Sequence, residues 1–310
     1  MMNRFVAWGA GAFVTALAVM AAGCSKPADD AAKPAVRAAS VDDRAGWPKV
    51  LNVSAIPDVN QNTLLTTYAP FTEYLSKRLG VEVKFTPVTD YPGTVDGIAA
   101  GRLDLVWFGG YTSVQAVKAA KGNVERLVCR VEDLKFKSVF VANPASGIKR
   151  LADLKGKTFS FGSLSSTSGH LMPRSFLRAA GIDAETDLGN VSYSKGHDAT
   201  VIAVETGAVE AGALNYLVWD KMTAEKKYDA TKVAVFFITP EYVDYCWCAR
   251  KDLPASLRVA IKKAFLDLKA SDAENKQLMD LQKATGYVEC KDEWWNGIEE
   301  AAKAAGMLKD

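Results

Sequence analysis

The sequence predicts an α/β protein of two lobes, each a mostly parallel sheet flanked by helices, joined by two crossover segments. Three observations carry that prediction. From residue 50 to residue 120, apolar runs of strand length alternate with helical apolar patterns, the grammar of βαβ units. Asn143-Pro144-Ala145-Ser146-Gly147 breaks this pattern, and a second series of the same kind follows. Strand-like runs then return at 233–238 and 242–249 before a mostly helical tail, so one unit is inserted into the other and the chain crosses twice. The expected division is 48–142 plus 236–310 for lobe 1 and 143–235 for lobe 2.

Each element has a local reason. Residues 50–56 form an apolar strand that stops at Pro57-Asp58. A helix follows from the spacing of Leu64, Leu65, Tyr68, Phe71, Tyr74, Leu75 and Leu79, closed by Gly80, with Pro70 expected to kink or delay it. Strands are expected at 81–88 and 103–108, with a short helix at 95–100 between them and another at 112–120. After 124–129 and 138–142, the second series holds a short helix at 151–156, strands at 159–161, 191–193 and 211–216, and helices at 171–180 and 199–206.

In open α/β lobes, ligands bind beyond the carboxyl ends of strands, so two such lobes facing each other form a cleft lined by post-strand loops. The most informative loop is Ser163-Leu164-Ser165-Ser166-Thr167-Ser168-Gly169, which joins an apolar strand to a helix start. Hydroxyls and unpaired backbone N–H groups at the positive end of a helix suit an oxyanion. Ser166, Thr167 and Ser168 are therefore candidate ligands, and one of the serines also reads as an N-cap. His197 lies in a polar loop before Asp198, where a ring nitrogen can donate to an anion. His170 reads as a helix-start residue. Tyr91 and Tyr111 stand in cleft loops with hydroxyls to offer, whereas Trp107, Phe108, Trp247, Trp294 and Trp295 read as packing. The region after Leu214, with Asn215, completes the loop set. The loops hold no complete catalytic set and no Gly-x-Ser-x-Gly elbow, so no catalytic residue and no cofactor is expected.

A net charge of +2 over 310 residues, without a basic block, excludes nucleic acid as a partner. Arg4, the apolar stretch 5–20 and Ala21-Ala22-Gly23-Cys24 resemble a lipoprotein signal peptide. Residues 1–24 are thus expected to be removed, with Cys24 lipidated, and 25–47 to be a flexible tether to the membrane. Four cysteines remain, Cys129, Cys246, Cys248 and Cys290, enough for two disulfides in three connectivities. Cys246 and Cys248 share a strand face and are badly placed to bond each other. No second ligand pair at zinc-like spacing is present, so no metal is expected.

Three motifs give the chain a resemblance: Thr89-Asp90-Tyr91-Pro92-Gly93, Ser166-Thr167-Ser168-Gly169-His170-Leu171-Met172-Pro173 and Lys195-Gly196-His197-Asp198-Ala199-Thr200. Together they resemble type II periplasmic solute-binding proteins of ABC importers, in the phosphate/phosphite/phosphonate family and near a subgroup labelled selenate-binding. The resemblance implies a periplasmic, lipid-anchored monomer that binds a small tetrahedral oxyanion and serves a membrane permease. It implies ligand-binding roles for Tyr91, Ser166, Thr167, Ser168 and His197, and for Asp244 as the acceptor of a ligand proton. Two departures, Phe136 where relatives place a Tyr and Leu217 near the position of an ammonium-binding Glu, imply a ligand without an amino tail. A sensory module or a pyrimidine-precursor enzyme of the same fold are the alternatives.

Overall fold

In the computed structural model, residues 44–308 are described. The expected signal peptide, Cys24 and most of the expected tether lie outside them. Trp47, expected in the tether, is held by the fold: its indole donates to Ser256 Oγ at 2.9 Å and packs on the core.

The first series runs β1 (Val50–Ala55), α1 (Gln61–Leu79), β2 (Glu82–Phe85), α2 (Tyr91–Ala99), β3 (Leu105–Phe108), α3 (Gly110–Ala119) and β4 (Val124–Arg130). The inserted series is β5 (Ser138–Ala142), β6 (Thr158–Phe161), α4 (Met172–Ala179), β7 (Asn190–Tyr193), α5 (His197–Glu205), β8 (Ala211–Asn215), α6 (Tyr216–Ala224) and β9 (Ala234–Ile238). The chain then returns through β10 (Cys246–Arg250), α7 (Ala255–Leu266), α8 (Ala273–Gln282), β11 (Tyr287–Glu289) and α9 (Asn296–Ala304).

Two mixed sheets result, ordered β11-β4-β10-β3-β1-β2 and β7-β6-β8-β5-β9. Parallel pairing is confined to β2-β1-β3 and to β7-β6-β8; the remaining pairs are antiparallel. The expectation of mostly parallel sheets is corrected accordingly. The reason is topological: strands next to the crossings enter or leave a lobe without a helix to turn them round, so they run against their neighbours.

The lobe boundaries move as well. β5 pairs with β8 and β9, so both flanking strands belong wholly to the second sheet and lobe 2 spans residues 138–238. The break at 143–147 is a turn inside lobe 2. The crossings are 131–137 and 239–245, and they pair with each other through an isolated antiparallel bridge, Phe136 to Tyr242. At the first crossing the buried Arg130 grips Asp133 through Nη2 at 2.6 Å and Nε at 2.9 Å, and its guanidinium lies over the Trp107 ring at 4.9 Å.

Helix α1 shows why the local pattern works. Asn60 caps its first turn by accepting from Thr63 N at 3.0 Å, and Gly80 ends it in the left-handed region at φ 69°. Leu64, Tyr68, Phe71, Leu75 and Leu79 are buried on one face. The helix runs unbroken past Pro70, and Phe71 stacks against Trp247 at 5.9 Å and Phe265 at 5.4 Å. The second sheet is covered on both sides, Phe140 packing with Phe159 and Phe161 while the alternate residues Val139 and Val141 pack with Val201 and Leu214. Among the described residues Cys129, Cys246, Cys248 and Cys290 are free thiols, so none of the three possible pairings is formed. Cys246 and Cys248 sit on one face of β10 with sulfurs 3.5 Å apart.

Candidate functional site

Strand β6 ends at Phe161, and Gly162 N–H donates to Gly169 O at 2.7 Å, folding the hydroxyl loop back on itself. Ser166 Oγ accepts from Gly169 N at 3.0 Å and is a true N-cap. The turn it opens, Thr167–Leu171, is π-helical and continues as α4. A π turn widens the helix mouth and is common at functional sites. The loop is tight enough that a Cβ on Gly169 would stand 3.0 Å from Gly162 Cα, His197 Cε1 and Ser166 Oγ.

Tyr91, Asp244 and His197 come to the Ser166–Gly169 turn from three separate elements. The Tyr91 hydroxyl, delivered by the N-terminus of α2, reaches Ser166. Thr167 Oγ1 accepts from Tyr111 N–H at 2.9 Å and lies beside the Asp244 carboxyl. Asp244, on the second crossing, accepts from Gly110 N–H at 2.7 Å. His197, the first residue of α5, has its backbone N–H on Asp58 O at 2.8 Å. Among the described residues, Ser168 Oγ, His197 Nε2 and Asp244 Oδ2 are buried with no hydrogen-bond partner. Buried polar atoms are seldom left unpaired in a finished structure, and three in one place mark a binding cradle.

The protonation states follow from burial. Burial holds the His197 imidazole down, at a pKa of about 4, so the ring is neutral at neutral pH. Its Nδ1 faces Asn215 N–H at 3.3 Å, which assigns the proton to Nε2 and makes that nitrogen a donor into the cradle. Burial pushes Asp244 up to about 8, against the pull of Gly110 N–H and Thr167, and Asp133 lies near enough to add to the rise. Tyr91 is held well above the ordinary phenol range, again by burial. The cradle is thus a set of neutral donors plus one carboxyl that can hold a proton. Among the described residues it has no free cation: Arg174 bonds Glu185 at 2.7 Å and His170 at 3.0 Å, Lys195 is exposed, and Arg130 is committed to Asp133.

Of the expected ligands, Tyr91, Ser166, Thr167, Ser168, His197 and Asp244 are brought together. Two other expected ligands have their side chains on other partners. The Tyr111 hydroxyl donates to Met307 O at 2.6 Å, away from the cradle, and only the backbone N–H of Tyr111 serves it, through Thr167. Asn215 caps α6 with its side-chain oxygen at 2.7 Å from Leu217 N and gives its amide to Tyr245 Oη at 2.9 Å, so it positions His197 from behind. His170 stays outside the cradle, bonded to Leu164 O at 2.8 Å. Phe136 is buried against Tyr216 and Tyr245, and Leu217 lines a neighbouring cavity.

Sequence reasoning missed Tyr242, whose hydroxyl lies 2.6 Å from Ser138 Oγ and approaches Ser168. It also missed Asp58 and Tyr245, joined at 3.1 Å behind the cradle. Tyr242 and Tyr245 stand in the apolar run taken for strand, and only the crossing geometry turns them inward.

The model of the family described as "ABC transporter, phosphonate, periplasmic substrate-binding protein" matches residues 53–295. This chain belongs to that family. The phosphonate-family relatives include the probable ABC transporter phosphite binding protein PhnD1 of Prochlorococcus marinus, 39% identical over 84% of this chain and 92% of the relative. The phosphonates-binding periplasmic protein of Escherichia coli is 28% identical over 62% of this chain and 58% of its own. The solved structure of Prochlorococcus PhnD1 in complex with methylphosphonate superposes with a TM-score of 0.81 at 38% identity, covering 84% of this chain and 99% of that one. As a member of the family, the chain is a periplasmic, type II substrate-binding component of an ABC transporter.

Proposed function

We propose that the protein captures a small tetrahedral oxyanion, phosphite or methylphosphonate before phosphate or selenate, and delivers it to a membrane permease. The observation that carries this reading is the convergence of three unpaired buried polar atoms, Ser168 Oγ, His197 Nε2 and Asp244 Oδ2, beside the Ser166 cap. Tyr91, Ser166, Thr167, Ser168 and His197 supply hydrogen-bond donors, and Asp244 shares one proton with the ligand. Such charge-assisted hydrogen bonds contribute roughly 1.5–3 kcal/mol each, enough to hold an anion without a cation. The relatives named for phosphite and phosphonates, and the methylphosphonate complex, support the same ligand class. Titration calorimetry against phosphite, methylphosphonate, phosphate and selenate tests it. Micromolar or tighter binding of at least one is expected, and no heat together with no thermal shift for the whole panel sinks the reading.

The same reading has the protein working as a monomer, anchored through lipid on Cys24. The expected intact mass of detergent-extracted protein is that of a chain beginning at a diacylglyceryl cysteine. A mature N-terminus elsewhere removes the anchor.

A further inference from the structure

Four thiols that the cradle does not use lie together on the first sheet. Trp247 turns toward Phe71 and Phe265, so Cys246 and Cys248 on either side of it turn to the opposite face. The strand order β11-β4-β10 brings the other two to the same face. Trp247 pairs with Val128, which sets Cys246 beside Cys129; Val288 pairs with Cys129, which sets Cys290 diagonally across from it. The Cys290 N–H donates to Leu127 O at 3.1 Å and fixes that register. The Cys246 and Cys248 sulfurs are 3.5 Å apart, and the Cys290 thiol lies beside Cys129 and Cys246. Cys129, Cys246 and Cys248 are fully buried, whereas Cys290 is half-buried and gives the group its one contact with solvent. A cation completes the cluster. Arg126 pairs with Cys248, its Nε donates to Ser113 Oγ at 3.0 Å and its Nη1 to Asp292 at 3.1 Å. Burial acts against ionisation of Cys246, yet the Cys248 and Cys290 thiols and the Arg126 charge bring it well below the ordinary thiol value. Burial and the neighbouring thiols push Cys290 the other way. The cluster thus keeps one thiolate, at Cys246, among three thiols.

We infer that these residues form a redox-reactive thiol site, entered at Cys290, in which an external disulfide is exchanged for an internal Cys129–Cys290 bond that ties the edge strand β11 to β4. Disulfide geometry selects the pair. Cys246 and Cys248, two apart on one strand with parallel side chains, hold their Cβ atoms roughly 6.6 Å apart, beyond the ~4.5 Å that a disulfide spans. Cys246 and Cys290 stand two strand spacings apart, roughly 9.6 Å, beyond the ~7 Å limit for Cα atoms. Cys246 and Cys129 face each other, but both are buried and neither meets an outside reagent before Cys290 does. Cys129 lies on the strand next to Cys290 and resolves its adduct. In the exchange, the Cys246 thiolate takes the Cys290 proton, and the Cys290 thiolate attacks one sulfur of the external disulfide. A mixed disulfide forms, and the released thiolate recovers the proton from Cys246. Cys246 then takes the Cys129 proton, and the Cys129 thiolate attacks the Cys290 sulfur, breaking the mixed disulfide and releasing the second thiol. Two protein thiols are oxidised, one external disulfide is reduced to two thiols, and Cys246 and Cys248 end as they began. The oxidant is of the disulfide class that a periplasm supplies.

The test starts from intact protein purified with reductant and then freed of it. The folded protein is incubated with oxidised glutathione, alkylated in denaturant and mapped by peptide mass spectrometry. In the wild-type protein, Cys246 and Cys248 are expected to stay open to alkylation while Cys129 and Cys290 are lost to one new cross-linked peptide. Cys290→Ser is expected to slow the loss of thiols by roughly 100-fold or more, because buried thiols are inert to outside reagents. Cys129→Ser is expected to stop at the mixed disulfide, with one glutathione on Cys290. A wild-type protein that keeps all four thiols overturns the inference, and that result needs no variant to fold. A first-formed bond that omits Cys290, or a folded Cys290→Ser protein that oxidises at the wild-type rate, overturns it too. Closure of Cys290 onto Cys246 in Cys129→Ser overturns the choice of partner.

Discussion

Ser168→Ala is expected to weaken phosphite or methylphosphonate binding by roughly 10- to 100-fold, while the ligand-free protein melts at the same temperature or slightly higher. The two halves of that result have one cause. Ser168 Oγ is buried and has no hydrogen-bond partner of its own, since the neighbouring Tyr242 hydroxyl bonds Ser138. Removing an unpaired buried hydroxyl costs the free fold nothing and relieves about 1–3 kcal/mol of desolvation. In the complex the same hydroxyl makes a charge-assisted bond of roughly 1.5–3 kcal/mol, which is the loss calorimetry should read. The contrast with Ser166→Ala is instructive: Ser166 Oγ already caps Gly169 N–H at 3.0 Å, so that variant should lose stability as well as affinity. A Ser168→Ala protein that melts several degrees lower with unchanged affinity would place the hydroxyl in the fold and not in the site.

Asp244→Asn is expected to weaken a pH dependence that the wild-type protein shows in both stability and affinity. Burial raises the Asp244 carboxyl to about 8, far above its ordinary 3.8, so the protonated form is the one the fold accommodates. The folded state therefore binds more protons than the unfolded state between those two values, and stability falls as pH rises through that window. Melting curves from pH 5 to pH 9 should show the wild-type midpoint falling progressively against that of Asp244→Asn. Affinity follows the same proton. In the proposed complex one proton sits between Asp244 and the oxyanion, and once pH exceeds about 8 it has to be taken up from solution. Wild-type affinity should then fall roughly tenfold per pH unit. Affinity that stays level to pH 9.5 would show that no proton is shared.

Much of this site is legible in the sequence. A run of hydroxyls between an apolar strand and an apolar helix belongs at a strand's carboxyl end, and the strand–helix alternation put several such ends together. His197 stood out because a polar loop offers a histidine few other uses. The remainder depends on which way side chains turn once two lobes meet. Nothing local distinguishes the Tyr111 hydroxyl, which reaches Met307, from the Tyr91 hydroxyl, which reaches Ser166. Asn215 looked like a ligand because it ends a strand at the cleft, and that same position makes it the cap of α6. The crossings were misplaced by a few residues because 138–142 reads as a strand in either lobe, and only its partners β8 and β9 decide. Asp58 and Tyr245, 187 positions apart in the chain, carry no shared pattern that sequence alone could reveal.

The absence of a free cation from the cradle reaches beyond affinity. Neutral donors act through dipoles, whose field fades over a shorter distance than that of a charge and depends on direction. Such a site does little to gather anions from the surrounding medium, and a spherical halide presents no oxygen atoms in the directions its donors point. In any medium where chloride outnumbers the proposed oxyanion, that indifference keeps the cradle free for the scarcer solute.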